Sequence, residues 1–158
     1  ASPHLASLTD LNFDSCGLDD ASVQALAAAL QQGTHLSALT RICISRNVQV
    51  GDGGMCALAG ALRHGSSHLL CLNSLYLSSC GISDQGVTAL AEALQHGSHL
   101  STLTILHLED NCFSNEGMRA LANALACSPH LSSLQALSLG STRFSGIGIA
   151  DLADTLTH

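Results

Sequence analysis

Residues 72–94 read LNSLYLSSCGISDQGVTALAEAL. The first half alternates, placing Leu75 and Leu77 on one side of a short extended segment. The second half changes period: Ala89, Leu90, Ala93 and Leu94 fall along one helical stripe. The same change of period occurs five times along the chain. Histidine-leucine pairs at His4, His35, His68, His99 and His130 open units spaced 31, 33, 31 and 31 residues apart. A fixed period of this kind predicts an array in which each unit buries its apolar face against its neighbours.

The predicted units are 2–32, 33–65, 66–96, 97–127 and 128–158, one array without an internal domain boundary. The middle apolar slot of each strand carries Leu11, Ile42, Leu75, Leu106 and Leu137. A position just past the strand carries Cys16, Asn47, Cys80, Asn111 and Thr142, followed by Leu18, Val48 or Val50, Ile82, Phe113 and Phe144. Helical stripes recur at Ala25–Leu30, Ala57–Leu62, Ala89–Leu94 and Ala120–Leu125, with a weaker one at Asp151–Leu156. Caps are expected from Asp19 or Asp20, Asp52, Ser83 or Asp84, Ser114 or Asn115, and Ser145. Gly33, Gly65 and Gly97 are expected to end helices in the left-handed conformation. Strands stack about 4.8 Å apart and helices about 10 Å apart, so such a stack bends with its strands inside. The predicted fold is an α/β solenoid with five parallel strands on the concave side and helices on the convex side.

The motif L-x-x-L-x-L-x-x-C/N-x-L followed by G-x-x-AL-x-x-AL resembles the ribonuclease-inhibitor-like class of leucine-rich repeat. That class includes ribonuclease inhibitor, the GTPase-activating protein for Ran and the repeat arms of nucleotide-binding immune receptors. The resemblance covers essentially the whole chain and implies a horseshoe segment that works by binding protein. Repeat length departs from the class, whose unit is about 28 or 29 residues.

Composition narrows the partner. The chain has five Arg, no Lys, twelve acidic residues and a net charge of -7, with 11% charged residues overall. Nucleic acid and anionic membrane both require a basic face, so neither is expected as a partner. Seven cysteines without C-x-x-C spacing suggest neither a zinc site nor a disulfide framework. With no N-x-S/T sequon and no apolar run of membrane-spanning length, the expected compartment is cytoplasmic.

Several residues invite chemistry and fail on spacing. Cys43 and His107 have the types of a nucleophile and base, yet they fall two strands apart, whereas a dyad needs about 3 Å. Gly51–Gly54 lacks the trailing Lys and Ser/Thr of a phosphate loop and reads as turn residues. The histidines are expected to cap free carbonyls at helix ends. Cys16, Asn47, Cys80, Asn111 and Thr142 are expected to bond the backbone of adjacent turns. No catalysis, cofactor or metal is predicted.

What remains is the outward face of the strands. Asn12, Asp14, Arg41, Cys43, Arg46, Tyr76, His107, Glu109 and Asp110 are the candidate partner-binding residues, with Tyr76, the only Tyr, as aromatic anchor. The expected function is a protein-binding scaffold, the docking or sensing arm of a larger protein. Alternatives are a Ran-type GTPase activator, for which Arg46, Asn47 and Asn111 are candidates, and a ribonuclease-inhibitor-like inhibitor with an acidic face. Residues 48–54, two residues longer overall with 63–68, are expected to form a bulged, mobile loop. Residues 1–5 echo 127–131, which predicts a segment of a longer repeat protein with flanking repeats or domains.

Overall fold

The computed structural model describes residues 6–33, 36–64 and 69–155. Five strand–turn–helix units follow one another: β1 (Asp10–Asn12) and α1 (Asp20–Gln32), β2 (Arg41–Cys43) and α2 (Gly51–His64), β3 (Ser74–Tyr76) and α3 (Asp84–His96), β4 (Ile105–His107) and α4 (Asn115–Cys127), β5 (Ala136–Ser138) and α5 (Gly146–Thr155). A 3₁₀ turn at Ser98–Thr102 leads from α3 to β4. The strands form one parallel sheet in chain order. Leu11, Ile42, Leu75, Leu106 and Leu137 stand directly opposite one another along it. The period read from the sequence thus becomes a row of leucine-type side chains, giving the α/β solenoid with a strand wall and a helix wall.

The core lies between the two walls. Ile42, Leu75, Leu106, Leu58, Leu90 and Leu121 are wholly buried, and Phe113 is the largest side chain among them. Burying a side chain of this size stabilises the fold by roughly 1.5–3 kcal/mol. Leu11 at one end of the row, and Leu134, Leu137 and Leu139 at the other, are only partly buried, because each end strand has one neighbour among the described residues.

The strands are three residues long, yet the hydrogen-bond ladder runs further. Ser15, Arg46, Ser79 and Asp110 donate their N–H groups to Ser45, Ser78, Glu109 and Gly140 of the next unit at 2.8–3.0 Å. Each of these residues, and Ser141 after them, has a φ between 54° and 58°. A left-handed residue in every unit therefore turns the chain off the strand while keeping its ladder bond. None of the five is glycine, so each carries a backbone cost of about 1–2 kcal/mol.

Beyond that turn come the residues expected to satisfy the backbone, and they do. Asn111 Oδ1 accepts from the N–H groups of Cys80 and Ile82 at 3.0 and 3.1 Å, while its Nδ2 donates to the carbonyls of Leu77 and Leu108 at 2.8 and 2.9 Å. Asn47 does the same for the turn of the first unit, bonding Leu18 N–H and the Phe13 and Ile44 carbonyls. Each Asn serves its own turn and the preceding one. The Cys16 and Cys80 turns are therefore served from the next unit as well, while the buried Cys80 thiol donates to the Ile44 and Ser78 carbonyls at 3.2 and 3.5 Å and the exposed Cys16 thiol to the Asp14 carbonyl at 3.5 Å. Burial pushes the Cys80 thiol up to about 12.

The helix caps follow the sequence expectation in part. Asp19 and Ser114 cap their own helices, accepting from Ser22 and Glu116 N–H. Asp52, Asp84 and Asn115 instead cap the helix of the following unit. Asp52 Oδ1 accepts from Ser83 and Gly86 N–H at 2.8 and 3.0 Å. Asp84 Oδ1 accepts from Ser114 and Gly117 N–H at 2.7 and 2.8 Å. Asn115 Oδ1 accepts from Ser145 and Gly148 N–H. A Cβ at Gly86 would stand 2.6 Å from Asp52 Oδ1, so glycine is required there for close approach. The ladder breaks once. Gly51 occupies the capping-serine position of the second unit and sends its N–H to the Cys80 carbonyl, leaving Asp20 Oδ1 buried and unpartnered.

Other expectations are also corrected. Gly33 and Gly97 follow their helices with φ of -73° and -81°, not left-handed. Glycine is needed because a Cβ would lie 2.9 Å from the Ala29 carbonyl and 2.7 Å from that of Ala93. Gly65 lies outside the described residues. So do His4, His35 and His68 and the side chain of His99. At the fourth helix end the capping falls to Ser128, whose N–H donates to Ala124 O and whose hydroxyl donates to Leu94 O, with His130 N–H donating to Ser128 Oγ. The expected loop at residues 48–54 is confined to its first three residues. Gly51–Gly54 make the first turn of α2, Val50 is fully buried, and only Val48 and Gln49 bulge outward.

Candidate functional site: the strand wall

Outward positions of neighbouring strands stand side by side in fixed register, so one side chain per unit meets the next. Asp10 pairs across β1–β2 with Arg41, and Asn12, Cys43, Tyr76, His107 and Ser138 form the next column. This register builds a contiguous patch. Arg41 Nη1 meets Asp10 Oδ2 at 2.9 Å, and the Arg41 guanidinium lies 4.8 Å from the Tyr76 ring centroid. The Tyr76 and His107 rings meet edge to face at 4.9 Å. His107 Nδ1 lies 3.4 Å from Glu109 Oε1, and Glu109 Oε2 accepts the Ser78 hydroxyl at 2.6 Å. Arg46 pairs with Asp14 beside it.

Guanidinium on an aromatic face and an aromatic edge on a ring are each worth about 0.5–1.5 kcal/mol, enough to hold Tyr76 in one orientation. Glu109 is fixed as well. Its partial burial pushes the carboxyl up, but hydrogen bonds from the Ser78 hydroxyl, its own backbone and the Ser138 hydroxyl, together with the nearby His107, outweigh that and hold it below the ordinary carboxylate range. The wall is thus a pre-ordered polar surface around one half-buried aromatic ring, with a shallow depression of about 340 Å³ over Arg41, Tyr76, His107 and Asp110.

The nine residues singled out from the sequence do not all join. Arg41, Tyr76, His107 and Glu109 form the continuous chain of contacts, and Asp14 and Arg46 a pair next to it. Cys43 is only 5% exposed, lying one strand from Tyr76 and two from His107, with Tyr76 between them. Asn12 turns back locally, its Oδ1 accepting Asp14 N–H at 3.0 Å. Asp110 accepts the Ser79 hydroxyl at 3.5 Å. Asp10 and Ser78, outward-facing in the sequence pattern but not among the nine candidates, anchor the two ends of the network. Their signal was present: Asp10 and Arg41, like Ser78 and Glu109, stand 31 residues apart, one repeat.

A leucine-rich repeat model ("Leucine Rich repeat") matches residues 4–27, 68–91 and 99–122. The chain carries leucine-rich repeats. No curated protein sequence matches it significantly. Among solved structures it is similar to leiomodin-1 actin-binding site 2, with a TM-score of 0.62 and 18% identity over 98% of this chain and 83% of that one. At that identity the likeness is one of fold, and it agrees with a leucine-rich-repeat α/β solenoid. The second unit, with Val48 and Gln49 bulging, and the fifth, with Thr142 in place of Asn or Cys, lie outside the matched stretches. Among the described residues no helix of these repeats is long and apolar enough to cross a membrane.

Proposed function

We propose that this chain is a non-catalytic protein-binding scaffold whose strand wall, centred on Tyr76, receives a protein partner. The observation that carries the reading is the continuous contact chain Asp10–Arg41–Tyr76–His107–Glu109–Ser78, which crosses four units. Interfaces draw most of their energy from a few ordered aromatic and arginine side chains, and this wall supplies both in one place. Repeat proteins generally use such extended concave surfaces for binding. The parent is read as a longer, cytoplasmic repeat protein in which this array is the docking arm.

Of the finer readings, the Ran-type activator is supported least. Asn47 and Asn111 are 2% and 3% exposed with their amides committed to backbone, which leaves Arg46 alone for orienting chemistry on a GTPase. An inhibitor of basic enzymes has more support from Glu109 and Asp110, though Arg41 and Arg46 neutralise the acids of the first unit. Affinity capture with the full chain, Tyr76→Ala and the helix-wall variant Gln24→Ala tests the scaffold reading. The reading expects partners to be lost with Tyr76→Ala and kept with Gln24→Ala. Equal recovery by all three removes the strand wall as the binding face.

A further inference from the structure

The wall displays, within itself, how it holds a guanidinium. Arg41 lies over the Tyr76 ring and pairs with the Asp10 carboxylate of the preceding strand. Arg46 pairs likewise with Asp14 of the unit before. Acids of the first unit are thus answered by arginines of the second. At the boundary between the fourth and fifth units Ser141 stands at the Arg46 position facing two acids, while Ala136 stands at the Arg41 position opposite Ile105 and not an acid. The ring is His107 and the acids are Glu109 and Asp110, but the fifth unit places Ala136, Ser138, Gly140 and Ser141 along its outward side. A Cβ built on Gly140 meets nothing within 4 Å among the described residues. Arg143, the nearest basic residue in sequence, makes no ion pair among the described residues; its N–H bonds Phe113 O. Balance of the wall points the same way: among the described residues four carboxylates, Asp10, Asp14, Glu109 and Asp110, stand with two arginines, Arg41 and Arg46, and the His107 imidazole beside Glu109.

We propose that the fifth-unit end of the wall docks an arginine-bearing extended segment of a protein partner, its guanidinium lying over the small floor of Ser138 and Gly140 between His107 and the carboxylates of Glu109 and Asp110. This deepens the scaffold reading and rests on it. Arginine fits better than lysine because a planar guanidinium can stack on the imidazole while donating two hydrogen bonds to a carboxylate. Glu109 already takes the Ser78 and Ser138 hydroxyls, its own backbone N–H and the nearby His107, so an entering guanidinium would share its remaining lone pairs with these and rely on the adjacent Asp110 carboxylate as well. Glu109 is also already oriented by Ser78 and His107, so little side-chain freedom is lost on binding.

The test titrates the ¹⁵N-labelled full chain with four capped pentapeptides, Ser-Gly-X-Gly-Ser, with X arginine, citrulline, lysine or glutamate. Arginine is expected to shift the amides of Asp110, Gly140 and Ser141 and to bind about fivefold or more tightly than neutral, isosteric citrulline. Lysine falls between them, and glutamate is weakest. Glu109→Gln with Asp110→Asn removes the preference for arginine over citrulline. Gly140→Arg, which supplies a guanidinium from within the chain, abolishes the arginine-specific shifts, and its unchanged amide dispersion elsewhere shows that the fold is kept. Equal binding of arginine and citrulline, tighter binding of glutamate, lysine binding as tightly as arginine, or shifts confined to the helix wall would overturn the proposal. If that happens while Tyr76→Ala still loses partners, the wall remains the binding face and only the choice of partner chemistry falls.

Discussion

Replacing Asn111 with Ala tests how the stack satisfies its own backbone. Asn111 is 3% exposed and makes five hydrogen bonds, to the N–H groups of Cys80 and Ile82 and the carbonyls of Leu77, Leu108 and Glu109. Alanine deletes all five. A buried group stripped of its partner costs about 1–3 kcal/mol, and an entering water relieves some of the set. With two groups left dry, the loss is about 3–5 kcal/mol. At about 2–4 °C per kcal/mol for a chain of this size, melting falls by roughly 6–20 °C. Thr142 occupies the same position one unit later, half-buried, and donates one bond to the Leu139 carbonyl at 3.0 Å. Thr142→Ala should therefore cost only about 0.5–1.5 kcal/mol. Asn47→Ala should fall between the two, because its partners Leu18 and Phe13 are only partly buried. Urea unfolding followed by helical circular dichroism gives the ranking. If Asn111→Ala costs no more than Thr142→Ala, the backbone-satisfying role assigned to this position is wrong.

Other consequences are equally direct. Gly86→Ala should destabilise by about 1–3 kcal/mol, since its Cβ would meet Asp52 Oδ1 and Ile82 Cγ2 at 2.6 Å, whereas Gly60→Ala, whose Cβ has only Gln31 Nε2 at 4.0 Å, should stabilise by about 0.5–1 kcal/mol; thermal melts of both variants decide it. Desolvation pushes the Asp84 carboxyl up, but the bonds from Ser114 N–H, Ser114 hydroxyl and Gly117 N–H hold it below its ordinary 3.8. A carboxyl lowered in the folded state contributes stability above its unfolded pKa and loses it as pH falls through the folded value. The stability gap between the native chain and Asp84→Asn should thus be flat above pH 5 or so and shrink below about pH 4, as measured by urea midpoints across that range. A thiol reagent at neutral pH should modify the exposed Cys16, Cys71 and Cys127 first, and reach Cys43 and Cys80 only on unfolding, as read by peptide mass mapping.

The fold was legible because it rests on periods. A leucine every unit at the middle strand slot determines the sheet register, and Ala-Leu stripes determine which helix faces turn inward. The five-strand row from Leu11 to Leu137 needs no further information. What escaped was relational. Asp52, Asp84 and Asn115 look like caps of the helices they begin, and only the stacking shows that each reaches one unit forward. Gly33 and Gly97 carry the usual terminal glycine signal, but steric closeness to a helix carbonyl explains them, and closeness cannot be seen in one dimension. The insertion was visible as two extra residues. Its outcome depended on Val50 being drawn into the core, which pulls Gly51–Gly54 into the helix and leaves Val48 69% exposed. Tyr76 was identifiable from scarcity alone. Its contacts with Arg41 and His107 required the register.

Tyr76 is the only tyrosine in a chain with no tryptophan, so its ring protons can be assigned without ambiguity. A nuclear Overhauser spectrum of the intact chain is expected to connect that ring to both the Arg41 side chain and the His107 imidazole, partners 35 and 31 residues distant in sequence. Cross-peaks confined to residues 74–78, or to the helices, would mean that the units do not stack side by side and that the wall proposed to receive a partner does not exist.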